Sequence, residues 1–323
     1  MDEMLAGFAV TLISAVIGFG ASLLIWKRDR YRASVYGMFL SLTLTVVWMF
    51  YFATLNPLRG ERVAGETAPG KEIGLALMLA VYLNYFIAYL LVRKAGLTLH
   101  RVASWENNVR KVLLFVSLVS VGLYPRLLSV YAILYLIMGV WVLKNREGHI
   151  KNMTNAEKLD FGWMRGFLKK YDVDVDGVYG IKDCFTTLLA GRRLFIGKKL
   201  LEFEPDEIKV MVLEAAYVES RGIAVRQMIL GLLVFLVSGM IVAGIDDWNL
   251  KLASAAFLTL LSWGIDLAYI IQVRMATDKF VAKELGKETL QRTLRKVTDL
   301  AKRRKGKDEF TMLANVEKRM EKI

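Results

Sequence analysis

A spanning helix needs about 20 predominantly apolar residues to cross the hydrocarbon core of a bilayer. This chain supplies seven stretches at or near that length, at 5–26, 33–55, 73–92, 110–124, 127–143, 227–245 and 251–273. With 55% hydrophobic residues, a mean hydropathy of +0.39 and only 4 prolines, the composition lies outside that of ordinary soluble domains. An α-helical polytopic membrane protein of about seven spans is therefore expected. The fourth and fifth stretches are short and divided by Gly122, Pro125 and Arg126, so they are either two true spans or a re-entrant hairpin. The first stretch lacks a small-residue cleavage site, and its basic cluster follows it rather than precedes it, which predicts a retained anchor and not a removable signal.

Lysine and arginine accumulate in short loops on the cytoplasmic side. Lys27, Arg28, Arg30 and Arg32 follow the first stretch, Arg93, Lys94, Arg101, Arg110 and Lys111 the third, and Lys144 and Arg146 the fifth. In the opposite loops, Arg59, Arg62 and Lys71 are offset by Glu61, Glu66 and Glu72, and 246–250 carries Asp246 and Asp247. Seven crossings with the N-terminus outside and the C-terminus in the cytoplasm satisfy every loop. The formal charge of +13 is then a matter of topology. No stacking or groove-reading motif accompanies it, so no nucleic-acid role follows.

This topology divides the chain into 1–143 with about five spans, a soluble piece at 144–226, two further spans in 227–273, and a tail at 274–323 that completes the soluble part. The soluble piece reads as mixed: a helix over Ala156–Tyr171, strand-like alternation over Val173–Ile181 and Arg193–Ile196, and a helix from Pro205 to Arg226 running into the next span. In the tail, Phe280, Val281, Leu285, Leu290, Leu294 and Val297 recur at helical spacing among charges and predict an amphipathic helix. It packs on the soluble domain or, through Lys302, Arg303, Arg304, Lys305 and Lys307, on anionic lipid. A single cysteine, Cys184, excludes an internal disulfide.

A resemblance emerges at 161–226. The run Gly177-Val178-Tyr179-Gly180-Ile181, then Phe185, Ala190-Gly191-Arg192-Arg193, Leu194-Phe195-Ile196-Gly197 and Leu200-Leu201, leads to Pro205-Asp206-Glu207-Ile208-Lys209-Val210-Met211-Val212-Leu213. This block resembles the membrane zinc metallopeptidases of HtpX and the type I CAAX prenyl proteases. The resemblance implies a small cytoplasmic α+β domain in which an edge strand lines a substrate cleft and a PDEL-like helix start leads into the zinc-binding HExxH. It makes Phe195, Tyr217 and Asp278 candidates for the cleft. The family's arrangement of five spans before the domain and two after it is also similar to this chain.

The chemistry departs from that family. HExxH works because histidines at i and i+4 share a helix face and hold the metal while the intervening glutamate activates its water. Counting from Pro205-Asp206-Glu207, the motif positions hold Glu214, Ala215, Ala216, Tyr217 and Val218, with no histidine among them. If the register slips by one, so that Glu214 stands for the family glutamate and Ser220-Arg221 for its following pair, the ligand positions become Leu213 and Tyr217. The only histidines of the chain, His100 and His149, lie elsewhere. The family's third ligand precedes the aspartate of a downstream helix by four residues; here that helix resembles Ala276-Thr277-Asp278-Lys279-Phe280, and the ligand position is Arg274, a permanent cation. Glu214, Ala215, Val218 and Arg274 are thus the degenerate zinc positions that the resemblance implies. No cofactor is expected and zinc is expected to be absent. Glu214 and Glu219, with Arg221 and Arg274, can replace the metal by an ion-pair cluster; otherwise Glu219 and Arg221 are simply solvated.

Asp172, Asp174, Asp176 and Asp183, with Gly177 at the sixth position, follow the spacing of a calcium-binding EF-hand loop. Against that reading, Val173 and Val175 occupy positions usually polar, and Asp183 is shorter than the customary glutamate. Asn84 and Asp266 are polar residues within apolar stretches and functional candidates on that ground. The readings left open are a catalytically inactive metallopeptidase-like protein that binds a membrane protein or peptide or regulates a partner, an active peptidase with other ligands, and a calcium-responsive or transport protein. The lipid bilayer is the one partner expected in all three.

Overall fold

The computed structural model describes residues 2–55, 69–182, 184–303 and 319. The charged loop residues Arg59, Glu61, Arg62 and Glu66, the tail residues Arg304, Lys305 and Lys307, and Asp183 lie outside the described residues. The fold is mostly helical, with one small sheet. Five helices are long and apolar enough to cross a membrane, at Gly7–Ile25, Gly74–Val92, Leu127–Lys144, Ile223–Ala243 and Asn249–Leu285, which makes the chain an integral membrane protein.

The chain divides into two compact units, the first comprising Met1–Ala95, Ser104–Val140 and Ile229–Gly264. It contains α1 (Asp2–Ile25), α2 (Arg30–Leu55), α3 (Pro69–Val92) and parts of α4 (Leu99–Leu123), α5 (Leu127–Lys144), α9 (Ile223–Ala243) and α10 (Trp248–Leu285). Helix association in lipid depends on close packing and on polar side chains that find partners, since tails are as apolar as leucine. Both devices are present. A Cβ at Gly18 would lie 2.5 Å from the backbone nitrogen of Ser41, so α1 and α2 meet backbone to backbone at that point. Ser34 donates to the Ala88 carbonyl at 2.9 Å and accepts from Trp105 Nε1 at 2.9 Å, which joins α2, α3 and α4. Buried Asn84 is tied to its own helix, donating to the Ala80 carbonyl at 2.7 Å.

The second unit comprises Gly96–Ala103, Trp141–Met228 and Ile265–Ile323. It holds α6 (Arg146–Thr154), β1 (Glu157–Leu159), α7 (Gly162–Lys169), β2 (Gly177–Ile181), β3 (Thr187–Ala190), β4 (Arg193–Gly197), a 3-10 turn at Lys198–Glu202, α8 (Pro205–Ser220), the end of α10, and α11 (Lys287–Arg303). The sheet runs β1-β2-β4-β3, with β2 and β4 parallel and both outer pairings antiparallel. Alternation along β4 sends Leu194 and Ile196 to one face, against Met211, Val212 and Ala215 of α8 and Met164 and Leu168 of α7. Phe195 goes to the other, with Ile150 of α6, Ile181 and Leu99. The inclusion of 96–103 follows from this packing: Leu97 donates its backbone N–H to the Met153 carbonyl at 2.7 Å, and Leu99 belongs to that core.

Three sequence expectations change. The helix over Ala156–Tyr171 is instead β1, a turn and α7, because Asn155 takes a left-handed φ of 51° that ends α6 and Glu157–Leu159 then pairs with β2. The helix from Pro205 stops at Ser220, where Gly222 at φ 59° separates α8 from α9. In the tail, α10 continues unbroken through Leu285, and Gly286 at φ 89° allows the chain to turn into α11. At 1.5 Å per residue, the 38 residues of α10 run about 57 Å, roughly twice the hydrocarbon thickness, so one end of this helix projects well beyond the lipid.

Candidate functional site

Helix α8 lies at the centre of the second unit. Its start is fixed by a capping box: Pro205 occupies the first turn, the Glu204 side chain accepts from the helix, and Glu207 accepts from the Glu204 N–H at 3.0 Å. Glu207 is only 2% exposed and is met by Lys296 at 2.7 Å and Arg292 at 3.5 Å, both on α11. Val210 and Leu213 pack on Val281 of α10 and Leu290 and Leu294 of α11. The helix is thus held from the sheet side and from the tail side, and its single acidic residue between Glu207 and Glu219 is left on the face toward α10.

That residue is Glu214. A single guanidinium, that of Arg319, joins it to Asp278 on α10: Arg319 Nε donates to the two carboxylate oxygens of Asp278 at 2.9 and 3.2 Å, and Nη2 donates to both Asp278 and Glu214. The side chains are 14% exposed for Arg319, 16% for Glu214 and 4% for Asp278. Burial pushes the Glu214 carboxyl above its ordinary pKa; the Arg319 charge pulls it back, and the neighbouring Asp278 adds to the rise. For Arg319, burial opposes the charge, but the two carboxylates outweigh it and hold the guanidinium above its ordinary value.

Arg274, one turn before Asp278 on α10, is near enough for its charge to favour ionised Glu214. The ion pair to Glu214 recorded among the described residues is nevertheless with Arg319 and not with Arg274. Glu219 and Arg221 stand apart from this group. Glu219 accepts the Gly191 N–H at 2.9 Å and pairs with Arg146 at 3.5 Å, while the Arg221 guanidinium lies 5.4 Å over the Tyr217 ring. The postulated cluster of Glu214, Glu219, Arg221 and Arg274 is therefore replaced by Glu214, Asp278 and Arg319, with Arg274 beside them. Nothing in the periodicity around Arg319 singles it out, since it lies in a run of alternating charges. The signal that could have found it is an acid surplus, with Glu214, Glu219 and Asp278 set against Arg221 and Arg274.

The other candidates distribute as follows. Tyr217 packs on Phe280 with ring centroids 4.9 Å apart, and Phe280 meets Tyr171 at 6.1 Å, forming an aromatic wall from α8 to α10. Phe195 is fully buried on the α6 side of the sheet, against Tyr179, so it is core and lines no cleft. Ala215 is 7% exposed and faces the sheet, and Val218 is half-buried. Asp174 and Asp176 both pair with Arg192, the latter at 3.0 Å, so an arginine already sits on two of the four acids of the calcium-like loop. His149 packs edge-on against Trp141 at 4.9 Å and burial lowers its pKa; His100 is on α4, and neither belongs to α8 or α10. Among the described residues, no three His, Cys, Asp or Glu side chains gather to hold a metal ion.

No protein-family model matches the chain, and no curated protein matches it. Among solved structures, the chain is similar to the crystal structure of S. mikatae Ste24p, with 12% sequence identity over 91% of each chain and a TM-score of 0.41.

Proposed function

We propose that this chain is a catalytically silent member of the membrane zinc metallopeptidases, whose soluble domain binds a membrane protein or peptide or regulates a partner. The observation that carries the reading is the meeting of Glu214 and Asp278 on one guanidinium. Sequence resemblance alone assigned these two positions, far apart in the chain, to neighbouring parts of a former zinc site, and their contact supports that alignment. Zinc needs three protein donors from Cys, His or carboxylate around a tetrahedral centre. Here Ala215 and Val218 offer none, Arg274 is a cation, and the two carboxylates are already bonded to Arg319. The donor set does not fit the metal, and no hydrolytic step is derived through it.

Purified protein is therefore expected to hold no stoichiometric zinc. Elemental analysis that finds about one zinc per chain after dialysis would overturn the reading in favour of an active peptidase, since structural and catalytic zinc sites bind tightly enough to survive that treatment.

The proposal includes seven crossings, an outside N-terminus and a cytoplasmic soluble domain. Helices α2 and α4 would add to the five apolar helices; their first turns carry arginines, at Arg30 and Arg32 and at Arg101, that the positive-inside rule keeps in the cytoplasm. Reporter tags after Arg30 and Gly148 are expected to read cytoplasmic, and one at Gly65 the opposite side. A tag at Gly148 on the same side as Gly65 would sink this orientation.

A further inference from the structure

The carboxylates of Glu214 and Asp278 hold a planar, monovalent cation, and the geometry of that grip is specific. Arg319 uses two different nitrogens: Nε spans both Asp278 oxygens while Nη2 reaches across to Glu214. An ammonium is a point charge and cannot make this fork. Charge count narrows the choice further. With Arg274 fixed on α10 one turn from Asp278, two carboxylates are balanced by two guanidiniums; without Arg319, the group carries one net negative charge. A divalent metal would meet the Arg274 charge in the same space, whereas one guanidinium restores neutrality.

We propose that Glu214 and Asp278 form a receptor for a guanidinium group, filled in the resting protein by Arg319 of the chain's own C-terminal segment and available, when Arg319 is displaced, to an arginine side chain of a bound peptide. Resting on the reading of the soluble domain as a peptide binder, this names the side chain that the old site would recognise. Arg319 is then a self-ligand. It is the one member of the group that is not on α8 or α10, so it can leave without unwinding either helix. Tyr217, one turn after Glu214 on α8, packs on Phe280 of α10 and supplies an apolar surface for the stem of such a side chain.

The test uses the full-length protein in detergent, with thermal unfolding followed by intrinsic tryptophan fluorescence. R319A is expected to lose roughly 5–10 °C in Tm, because one charge of a buried group is left unbalanced. Ethylguanidinium at about 10 mM should restore part of that loss through its binding to the folded state, and leave the wild type unchanged. Ethylammonium and zinc chloride at the same concentration should restore nothing, and R319A/D278N should not respond to any of them. An R319A Tm equal to that of the wild type, equal rescue by ethylammonium, or rescue by zinc would each overturn the proposal. If R319A cannot be obtained folded, R319K replaces it: a Tm between those of the wild type and of an E214A/D278A variant is expected, and one indistinguishable from the wild type overturns guanidinium selectivity. A destabilised R319A that ethylguanidinium does not rescue overturns the receptor while leaving the silent-peptidase reading standing, and a zinc-bearing wild type, measured independently, sinks that reading whatever R319A does.

Discussion

Replacing Arg292 and Lys296 together by methionine should lower stability by about 3–5 kcal/mol, which is the usual loss when a buried charge is stripped of its partners. The charge concerned is Glu207, 2% exposed, bonded to Lys296 at 2.7 Å and facing Arg292 at 3.5 Å. The two cations are 41% and 55% exposed, so each can return to water when the pair is broken from the other side. That asymmetry gives the expected ranking. E207Q, which keeps an oxygen to accept from the Glu204 N–H and removes the charge, should cost about 1–2 kcal/mol. Adding E207Q to the double methionine variant should recover most of its loss, because no unpaired buried charge remains. Thermal or urea unfolding in detergent reads all three; a triple variant as unstable as the double would show that the methionines act by disturbing α11 and not through Glu207.

Gly197→Ala should cost about 3 kcal/mol or more, the upper end for an overpacked core. A Cβ at this position would overlap the carbonyl of Cys184 and lie 2.7 Å from the nitrogen of Phe185. Both neighbours are backbone, so no rotamer change relieves the clash. Nor can the segment retreat easily: Gly197 donates its N–H to Thr186 at 2.9 Å, and Cys184 and Phe185 are only 4% and 5% exposed. Gly166→Ala is the control. Nothing lies within 4 Å of a Cβ there, and α7 should gain about 0.5–1 kcal/mol from the better helix former. Limited proteolysis of the second unit separates the two: rapid cleavage is expected for G197A and wild-type resistance for G166A. A resistant G197A would mean that the 184–186 segment yields more readily than its packing implies.

These two cases show which parts of the fold can be read in the chain and which cannot. The apolar stretches became helices close to where hydropathy put them, because a long apolar run in lipid has one low-energy solution. Glu157–Leu159 was misread because three residues carry too little alternation to register, and their strand exists only through pairing with Gly180, Tyr179 and Val178. The Pro205 helix start was legible in its capping residues; its end at Gly222 was masked by the apolar run that follows. The resemblance singled out Glu214, Asp278 and Arg274 along two helices, and Glu214 and Asp278 do share a partner. The cation expected to replace the metal was Arg274, but the ion pair is made by Arg319, since which of two arginines reaches a carboxylate is decided by tertiary packing. Phe195 shows the same limit: the strand over Arg193–Ile196 was legible, and the burial of Phe195 against Ile150, Ile181 and Leu99 was not.

The cluster that covers the tail side of α8 is assembled from three distant stretches, with Val210 and Leu213 from α8, Val281 from α10, and Leu290 and Leu294 from α11. During synthesis the sheet and α8 leave the ribosome before α9 and α10, and α11 follows those. Until then Val210 and Leu213 have only Phe167 and Tyr171 against them, so the second unit cannot close this cluster before α10 and α11 have been made. A chain interrupted before Lys287 therefore leaves Val210 and Leu213 of α8 without Leu290 and Leu294, so the last part of this cluster depends on residues made more than seventy positions later.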